Sequence, residues 1–424
     1  MGSESLVKAY ILTHGVTFTD AALEHASHVG AKRQNMVYNA PAIGDHRSTK
    51  STEVSTSSHL ARPQEIFLQG DSNYDVCVSA VAPVTGRESA IVDCVNGKLV
   101  VATPSRPKLG QSLHGIEYVP EPTYYARLTS SGRPVTRWVS ACGYDEMNVW
   151  PWHDCAISRP CSFCGINAVH KQTGRGLDLL HAREIQHHTD ALAHWKDTRD
   201  EVLGEILEAI DAALDDECYR DEVHLILISG NLADHQLDTQ AAIYADMARA
   251  ITSRHPLRFA EGAVAVTAPP RNLDLLAEMQ QSGISVAVFN LEAFTPAAFS
   301  LHCPGKARAG RDHYLEALTR GVGVFGRGNI WSNFVLGLEP QEHLLAGCEE
   351  LASKGITPGA NVYHRDRGAT AALDPPTYDA VLDFYRELAI LYRKHGHRPY
   401  YCRLALRTSL ANEAFDGQLG PLDA

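Results

Sequence analysis

The sequence predicts an α/β protein: a full or partial (β/α)6 TIM-like barrel with a small N-terminal α+β module. Three observations predict it. From about residue 145, short apolar runs of strand length alternate with stretches whose apolar residues recur at helical spacing. Turn-forming residues such as Ser229-Gly230 and Gly283 punctuate that alternation. The chain has 424 residues, 44% of them hydrophobic, enough for one large core and an accessory part. Strand and helix in alternation imply a parallel sheet with helices outside, and such a sheet can curve into a barrel.

The elements follow in order. Asp45 to His59 is polar and Ser/Thr-rich, the composition of a loop. Glu65 to Thr103 reads as β structure, with apolar runs at Ile66–Leu68, Val76–Val81 and Leu99–Val101. Asn96-Gly97, between Val92–Val95 and Leu99–Val101, is a hairpin signal. Val202, Leu203, Ile206, Leu207, Ile210 and Leu214 then mark a helix, and Val223 to Ile228 a buried strand. A helix through Ala241–Ile251, a strand at Gly262–Thr267 and a helix at Leu273–Met279 come next. Strands at Ile284 to Leu291, Asn333–Leu338 and Ala360–Tyr363 alternate with helices at Tyr314–Leu318 and His343–Leu351. With one strand before residue 155, this makes about six βα units. After Pro375-Pro376, Tyr378 to Tyr392 forms a last long helix. The expected division is an accessory module over 1–135, the barrel over 136–372 and a helical extension over 373–424. Active residues of such a barrel belong on the loops after the strands' C-terminal ends.

Composition excludes some functions. The formal net charge is −12, so the chain lacks the basic surplus that neutralises nucleic-acid phosphates or binds anionic membranes. No apolar run approaches the roughly 20 residues of a spanning helix. Met1 to Lys8 lacks the basic-then-apolar order of a signal peptide, so a cytoplasmic protein is expected.

Seven of the ten cysteines are scattered, and three lie in Cys155-Ala-Ile-Ser-Arg-Pro-Cys161-Ser-Phe-Cys164. A tight cluster in a chain with no export signal points to metal rather than to a disulfide framework. Three thiolates on one loop can hold three irons of a cubane, and iron–sulfur clusters are otherwise tied by four cysteines, so one iron is left open. The alternatives are a structural zinc site with Cys142 as fourth ligand, in a non-catalytic α/β binding protein, or inert buried thiols.

With this loop the sequence resembles the radical S-adenosylmethionine (SAM) superfamily. The usual family loop is C-x3-C-x2-C with an aromatic residue before the last cysteine, a place that Phe163 fills. The C-x5-C-x2-C spacing here is similar to that of proteins related to biosynthesis of the iron-hydrogenase cofactor. The resemblance runs from Asp145 to Thr370 and is to biotin synthase-like members. It implies Cys155, Cys161 and Cys164 as ligands of a 4Fe–4S cluster. Ser229-Gly230-Asn231 stands where relatives carry a Gly-Gly-Glu-like turn for the SAM amino group, and lacks the Glu. Asn290-Leu291-Glu292 looks like the segment that binds the SAM ribose, and Arg311 stands where relatives place an arginine for the SAM carboxylate. Ser332 to Glu339, with Leu336 inside it, resembles the fifth-strand motif that flanks the adenine. The implied reaction is reductive cleavage of SAM to a 5′-deoxyadenosyl radical that abstracts hydrogen, with flavodoxin or ferredoxin as reductant. No second cysteine cluster or cobalamin module is evident, which tilts the substrate towards a small metabolite: an amino acid, or a natural-product or cofactor precursor. Modification of a peptide held by the N-terminal module is the alternative, and a closed-shell SAM transferase a third.

Taken singly, these residues also have ordinary roles: Ser229-Gly230-Asn231 as a turn, Asn290 and Glu292 as strand-end or capping groups, Arg311 as a surface arginine. The dense histidines His181, His187, His188 and His194 suit a polar helix or an entry segment better than a metal site. Cys303 is a buried thiol or a hydrogen donor at the pocket, and His364, Arg365 and Asp366 are surface loop or substrate contacts.

Overall fold

The computed structural model describes residues 2–32, 62–70, 72, 74–152, 154–157, 159–166, 191–220, 222–365 and 368–420. The Asp45 to His59 run, His181, His187, His188 and Asp366 lie outside the described residues.

Helix α1 (Ser3–His14) opens the chain, with Val7, Ala9, Tyr10, Ile11 and Leu12 all buried. Polar Glu4, Ser5, Lys8 and Thr13 are buried as well, so the helix is covered on nearly every side and its sequence carries no clean amphipathic stripe, which is why periodicity did not reveal it. Then come β1 (Val16–Phe18), α2 (Asp20–His28), β2 (Glu65–Gly70), β3 (Val76–Ser79), β4 (Ala90–Val95), β5 (Lys98–Ala102), α3 (Pro107–Gln111) and β6 (Leu113–Tyr118). They form two three-stranded sheets, β1-β4-β5 and β3-β2-β6. The expected hairpin joins β4 to β5: Asn96 and Gly97 both have positive φ (51° and 77°), as its two-residue turn requires.

The barrel follows: β7 (Val139–Cys142), β8 (Glu146–Val149), α4 (Ala191–Leu214), β9 (His224–Ile228), α5 (Leu237–Arg254), β10 (Ala263–Val266), α6 (Leu275–Gln281) and β11 (Ile284–Val288). It continues with α7 (Pro296–His302), α8 (Pro304–Ala309), α9 (Arg311–Phe325), β12 (Ile330–Leu336), α10 (Gln341–Ser353) and β13 (Thr357–Val362). These make one seven-stranded sheet, ordered β13-β12-β11-β10-β9-β8-β7. Strands β8 to β13 are mutually parallel, and β7 is an added antiparallel edge. Of the two forms the sequence allowed, the curled sheet is the partial barrel. Strand β13 begins earlier than expected, taking in Pro358, which an edge strand tolerates.

Helix α11 (Tyr378–His395) starts where Thr377 accepts from the Ala380 amide and stops at Gly396 in the left-handed region. Helix α12 (Ala411–Phe415) ends the chain. Between them, residues 400–408 close the open side of the half-barrel. At one edge Val362 N donates to Thr408 O (2.8 Å), beside β13. At the other the amides of Arg403 and Leu404 both donate to Asp145 Oδ2 (2.7 Å each), beside β7 and β8. The N-terminal module lies outside this tail: Ser79 N donates to Arg407 O (3.1 Å), and Glu65 pairs with Arg407 and Lys32. One hydrophobic cluster runs from Val7 through the barrel to Leu419.

Asp145 carries a testable pH dependence. Burial pushes its carboxyl up to about 7, against the pull of the two amides. An unfolded aspartate titrates near 3.9 (about), so folding takes up a proton between about pH 4 and 7. Stability then falls as pH rises through that window and levels off above it. Asp145→Asn keeps an acceptor for the amides and removes the titration. Its urea midpoint is expected to vary less than wild type's from pH 5 to 8; an unchanged slope would assign the dependence to another group.

Candidate functional site

The loop after β8 carries the three cysteines, and it is pinned on three sides. Ala156 N donates to Asn231 O (2.8 Å), just past β9. Ser162 N donates to His302 O (2.8 Å) at the end of α7, and Ser162 Oγ meets His302 Nδ1 (2.9 Å). The amides of Thr370 and Ala371 both donate to Ser162 O (2.7 and 2.8 Å). Two glycines allow this closeness. A Cβ on Gly230 would lie 2.2 Å from Asp154 O and 2.5 Å from Cys155 Cα, and one on Gly305 would lie 2.4 Å from Arg159 O. Gly230→Ala must therefore displace backbone. It is expected to cut the iron bound after reconstitution by about half or more with far-UV circular dichroism unchanged. Full iron loading of the variant would show that the loop shifts without loss.

Cys155, Cys161 and Cys164 all line one cavity of about 280 Å³ inside the half-barrel. Phe163, Ser229, Gly230, Asn231, Asn290 and Glu292 line it too. The structure thus brings nine of the eleven sequence-predicted site residues together. Leu336 packs in the core, and its neighbour Val335 faces the cavity, because side chains alternate along a strand. Arg311 does not line the cavity: its Nε donates to Phe294 O (2.9 Å) and its guanidinium lies over the Phe294 ring.

Two cations line the cavity, Arg407 from the tail and Lys306 beside Glu292; no sequence signal singled out Lys306. The Lys306 Nζ bonds Glu292 Oε1 (2.6 Å) and Asn290 O (2.9 Å), cross-linking the segment after β11. Burial opposes the charge, but Glu292 outweighs it and holds the ammonium well above its ordinary value. Glu292 is also a non-glycine residue at φ 67°, a strained backbone of the sort found at functional sites. Asn290 Oδ1 accepts from Asn333 N (3.0 Å) and Nδ2 (3.1 Å), while the Tyr400 hydroxyl donates to Asn333 Oδ1. The ends of β9 and β10 are joined through fully buried Gln240, which contacts Asn231, Thr267 and Leu232 N. Asn231 Oδ1 also accepts from Ala268 N (2.9 Å).

The three thiols differ electrostatically. Burial pushes Cys155 up to about 11. A hydrogen bond from Cys303, aided by Lys306, holds Cys161 below the ordinary thiol value. Cys303 itself keeps its proton, pushed well above the ordinary value chiefly by burial. It is fully buried and does not line the cavity. His364 does line it, whereas Arg365 is exposed.

The donor set fits an iron–sulfur cubane better than zinc. Four sulfurs about 2.3 Å from one zinc ion gather tightly around it. Among the described residues, no three His, Cys, Asp or Glu side chains are grouped to hold a single ion. Cys142 pairs with Glu146 at the start of β8, the opposite end of that strand from the cysteine loop. Cysteines that each bind a different iron of one cluster stand further apart, as a single pinned loop allows.

A parallel half-barrel with a three-cysteine loop at the C-terminal ends of its strands is the arrangement that radical SAM enzymes share. The chain is similar to enzymes of the radical SAM superfamily, whose members use a 4Fe–4S cluster and SAM. It is 29% identical over 295 residues, 65% of this chain and 69% of the relative, to bacteriochlorophyllide c C-7(1)-hydroxylase of Chlorobaculum limnaeum, a radical SAM enzyme. No family model matches the sequence. Among solved structures it is similar to the FeFe-hydrogenase maturase HydG from Carboxydothermus hydrogenoformans (TM-score 0.36, 13% identity, 61% of this chain and 52% of that one). It is also similar to a radical SAM methyltransferase from Sphaerobacter thermophilus (TM-score 0.39, 17% identity, 61% and 67%). Coproporphyrinogen III oxidase HemN from Escherichia coli gives TM-score 0.34 and 15% identity over 62% and 55%. Among the described residues, no helix is long and apolar enough to cross a membrane.

Proposed function

We propose that Cys155, Cys161 and Cys164 hold the cluster, that SAM lies across the ends of β9, β11 and β12, and that hydrogen is abstracted from a small molecule inside the barrel. When bound and reduced, the cluster supplies the electron that cleaves SAM to methionine and a 5′-deoxyadenosyl radical. The observation that carries this is the convergence of the cysteine loop and the strand-end residues on one cavity.

Each group has a task that its surroundings suit. Glu292 can accept from a ribose hydroxyl and the Asn290 amide nitrogen can donate to a ribose oxygen, while Lys306 fixes Glu292 for that contact. Ser229, Gly230 and Asn231 offer backbone carbonyls and short polar side chains to an amino group. Aliphatic side chains from β9, β10 and β11 (Ile226, Ile228, Val266 and Val288) exclude water from the reacting volume. The tail over 400–408 closes the side of the half-barrel, so entry is from the strands' C-terminal ends. On the cysteine loop Arg159 and Pro160 are exposed, which leaves the cluster approachable by flavodoxin or ferredoxin. A cavity of about 280 Å³ inside the half-barrel, and a relative named for hydroxylating bacteriochlorophyllide c, favour a small-molecule substrate. The test is anaerobic reconstitution with iron and sulfide, then dithionite and SAM, with chromatography for 5′-deoxyadenosine. Production of 5′-deoxyadenosine supports the proposal. A chain that binds only zinc, or that leaves SAM intact with no SAM-dependent change in the reduced cluster's electron paramagnetic resonance, overturns it.

A further inference from the structure

Below the strand ends the cavity has a polar side that cluster and SAM binding do not use. Asn148 on β8 is paired in register with Ile226 on β9, two residues short of the strand end at Ile228. Its side chain is fully buried and lines the cavity. Asn148 Nδ2 donates to Glu146 Oε1 (2.8 Å). Glu146 Oε2 accepts from the Cys402 thiol (3.4 Å), so both carboxylate oxygens are engaged. Because the carboxylate accepts, the amide nitrogen must face it, and Asn148 Oδ1 points the other way. That oxygen is buried and has no hydrogen-bond partner. A buried acceptor left unsatisfied costs stability, and such a group in a native cavity calls for an explanation.

The wall that β9 to β12 present to this region is apolar, although Arg407 and Thr408 of the tail also line the cavity. Ile226, Val264, Val286, Val288 and Trp331 form one buried cluster, with Tyr400 and Tyr401 packed against it. The Trp331 ring lies 5.2 Å from Tyr400 and 5.9 Å from Tyr401. A flat, largely apolar body suits such walls, and one polar group converging on them fixes its orientation.

We propose that this part of the cavity is the substrate-recognition site, and that its substrate is a small, largely apolar, ring-containing molecule whose N–H or O–H donates to Asn148 Oδ1. Asn148 binds and orients; it takes no part in bond breaking. The proposal rests on the reading of this barrel as a radical SAM active site, because it places the substrate beneath SAM.

The test uses two probes of nearly equal size and shape, indole, which has the donor, and 1-benzofuran, which lacks it. Each is titrated calorimetrically into the full-length, anaerobically reconstituted chain with SAM present. Wild type is expected to bind indole about tenfold or more tighter than 1-benzofuran, because 1-benzofuran leaves Asn148 Oδ1 unpaired. Asn148→Leu is expected to bind the two probes alike. If the leucine variant does not fold, Asn148→Ala, which only removes the amide, serves instead with the same expectation. Equal binding of the probes by wild type, binding of neither, or discrimination that survives loss of Asn148 would overturn the proposal. The binding experiment needs no electron and no SAM cleavage, so the two readings fail separately. Discrimination with neither 5′-deoxyadenosine production nor a SAM-dependent change in the reduced cluster's electron paramagnetic resonance sinks the cluster assignment alone; 5′-deoxyadenosine without discrimination sinks the recognition site alone.

Discussion

Replacing any one of Cys155, Cys161 and Cys164 by alanine is expected to lower 5′-deoxyadenosine production below about 1% of wild type. Each thiol has its own place on a loop held by backbone bonds to Asn231, His302, Thr370 and Ala371, so no other cysteine can move in to replace it. Cys303, bonded to Cys161, is the nearest substitute by geometry, but burial keeps it protonated and its position on the turn between α7 and α8 is fixed. Bound iron should fall together with activity in each variant. Cys94→Ala, on the half-buried outer hairpin, is the control and should retain wild-type yield. A variant among the three that keeps full yield would remove that cysteine from the ligand set. Zinc in place of iron in wild type would overturn the assignment of the loop.

The largest loss of stability is expected from Glu65→Ala. Glu65 is the hub of a buried charge cluster, paired with Lys32 (2.5 Å) and Arg407 and accepting from Gly143 N (3.2 Å). All three charged side chains are almost fully inaccessible. Alanine would leave two buried cations facing each other, a defect that costs about 3–5 kcal/mol when one partner of a buried pair is removed. Burial by itself would raise the Glu65 carboxyl, yet Lys32 and Arg407 outweigh it and hold it below its ordinary value. A depressed acid contributes its stability above the unfolded value, about 4.3, and loses it as pH falls through the lower folded value. The difference between variant and wild type, read as the urea midpoint, should therefore be full at pH 7 and shrink below about pH 4. A loss under about 1 kcal/mol at pH 7 would mean that the cluster contributes no more than a surface pair. Because Arg407 lines the cavity, the same variant loosens the tail that closes the half-barrel.

Much of this molecule was legible in one dimension. The βα rhythm gave the parallel sheet, because buried parallel strands are short continuous apolar runs and their covering helices repeat every 3.6 residues. Asn96-Gly97 gave its hairpin, because few other residues adopt positive φ twice in succession. The three cysteines were legible because they share one loop, and Asn290 and Glu292 because they follow one strand. Arg311 shows the limit of such inference: its place in the sequence suited a ligand contact, yet its side chain is spent on Phe294. Lys306 meets Glu292 from fourteen residues further on, through a turn that no periodicity describes.

The sequence by itself determined what local chemistry can encode: strand and helix periods, turn residues, and the gathering of three cysteines on one loop. Only the tertiary structure decided which side chains share the cavity. Asn148 became an unsatisfied acceptor because Glu146, two residues before it on the same strand, takes its amide, and because Cys402 reaches that carboxylate across the barrel. The tail over 400–408 became a wall because a sheet of six parallel strands and one antiparallel edge curls without closing. Contacts between residues more than 250 positions apart, such as Asp145 with Leu404, leave no periodic trace in a chain, since they are set by how the folded elements pack.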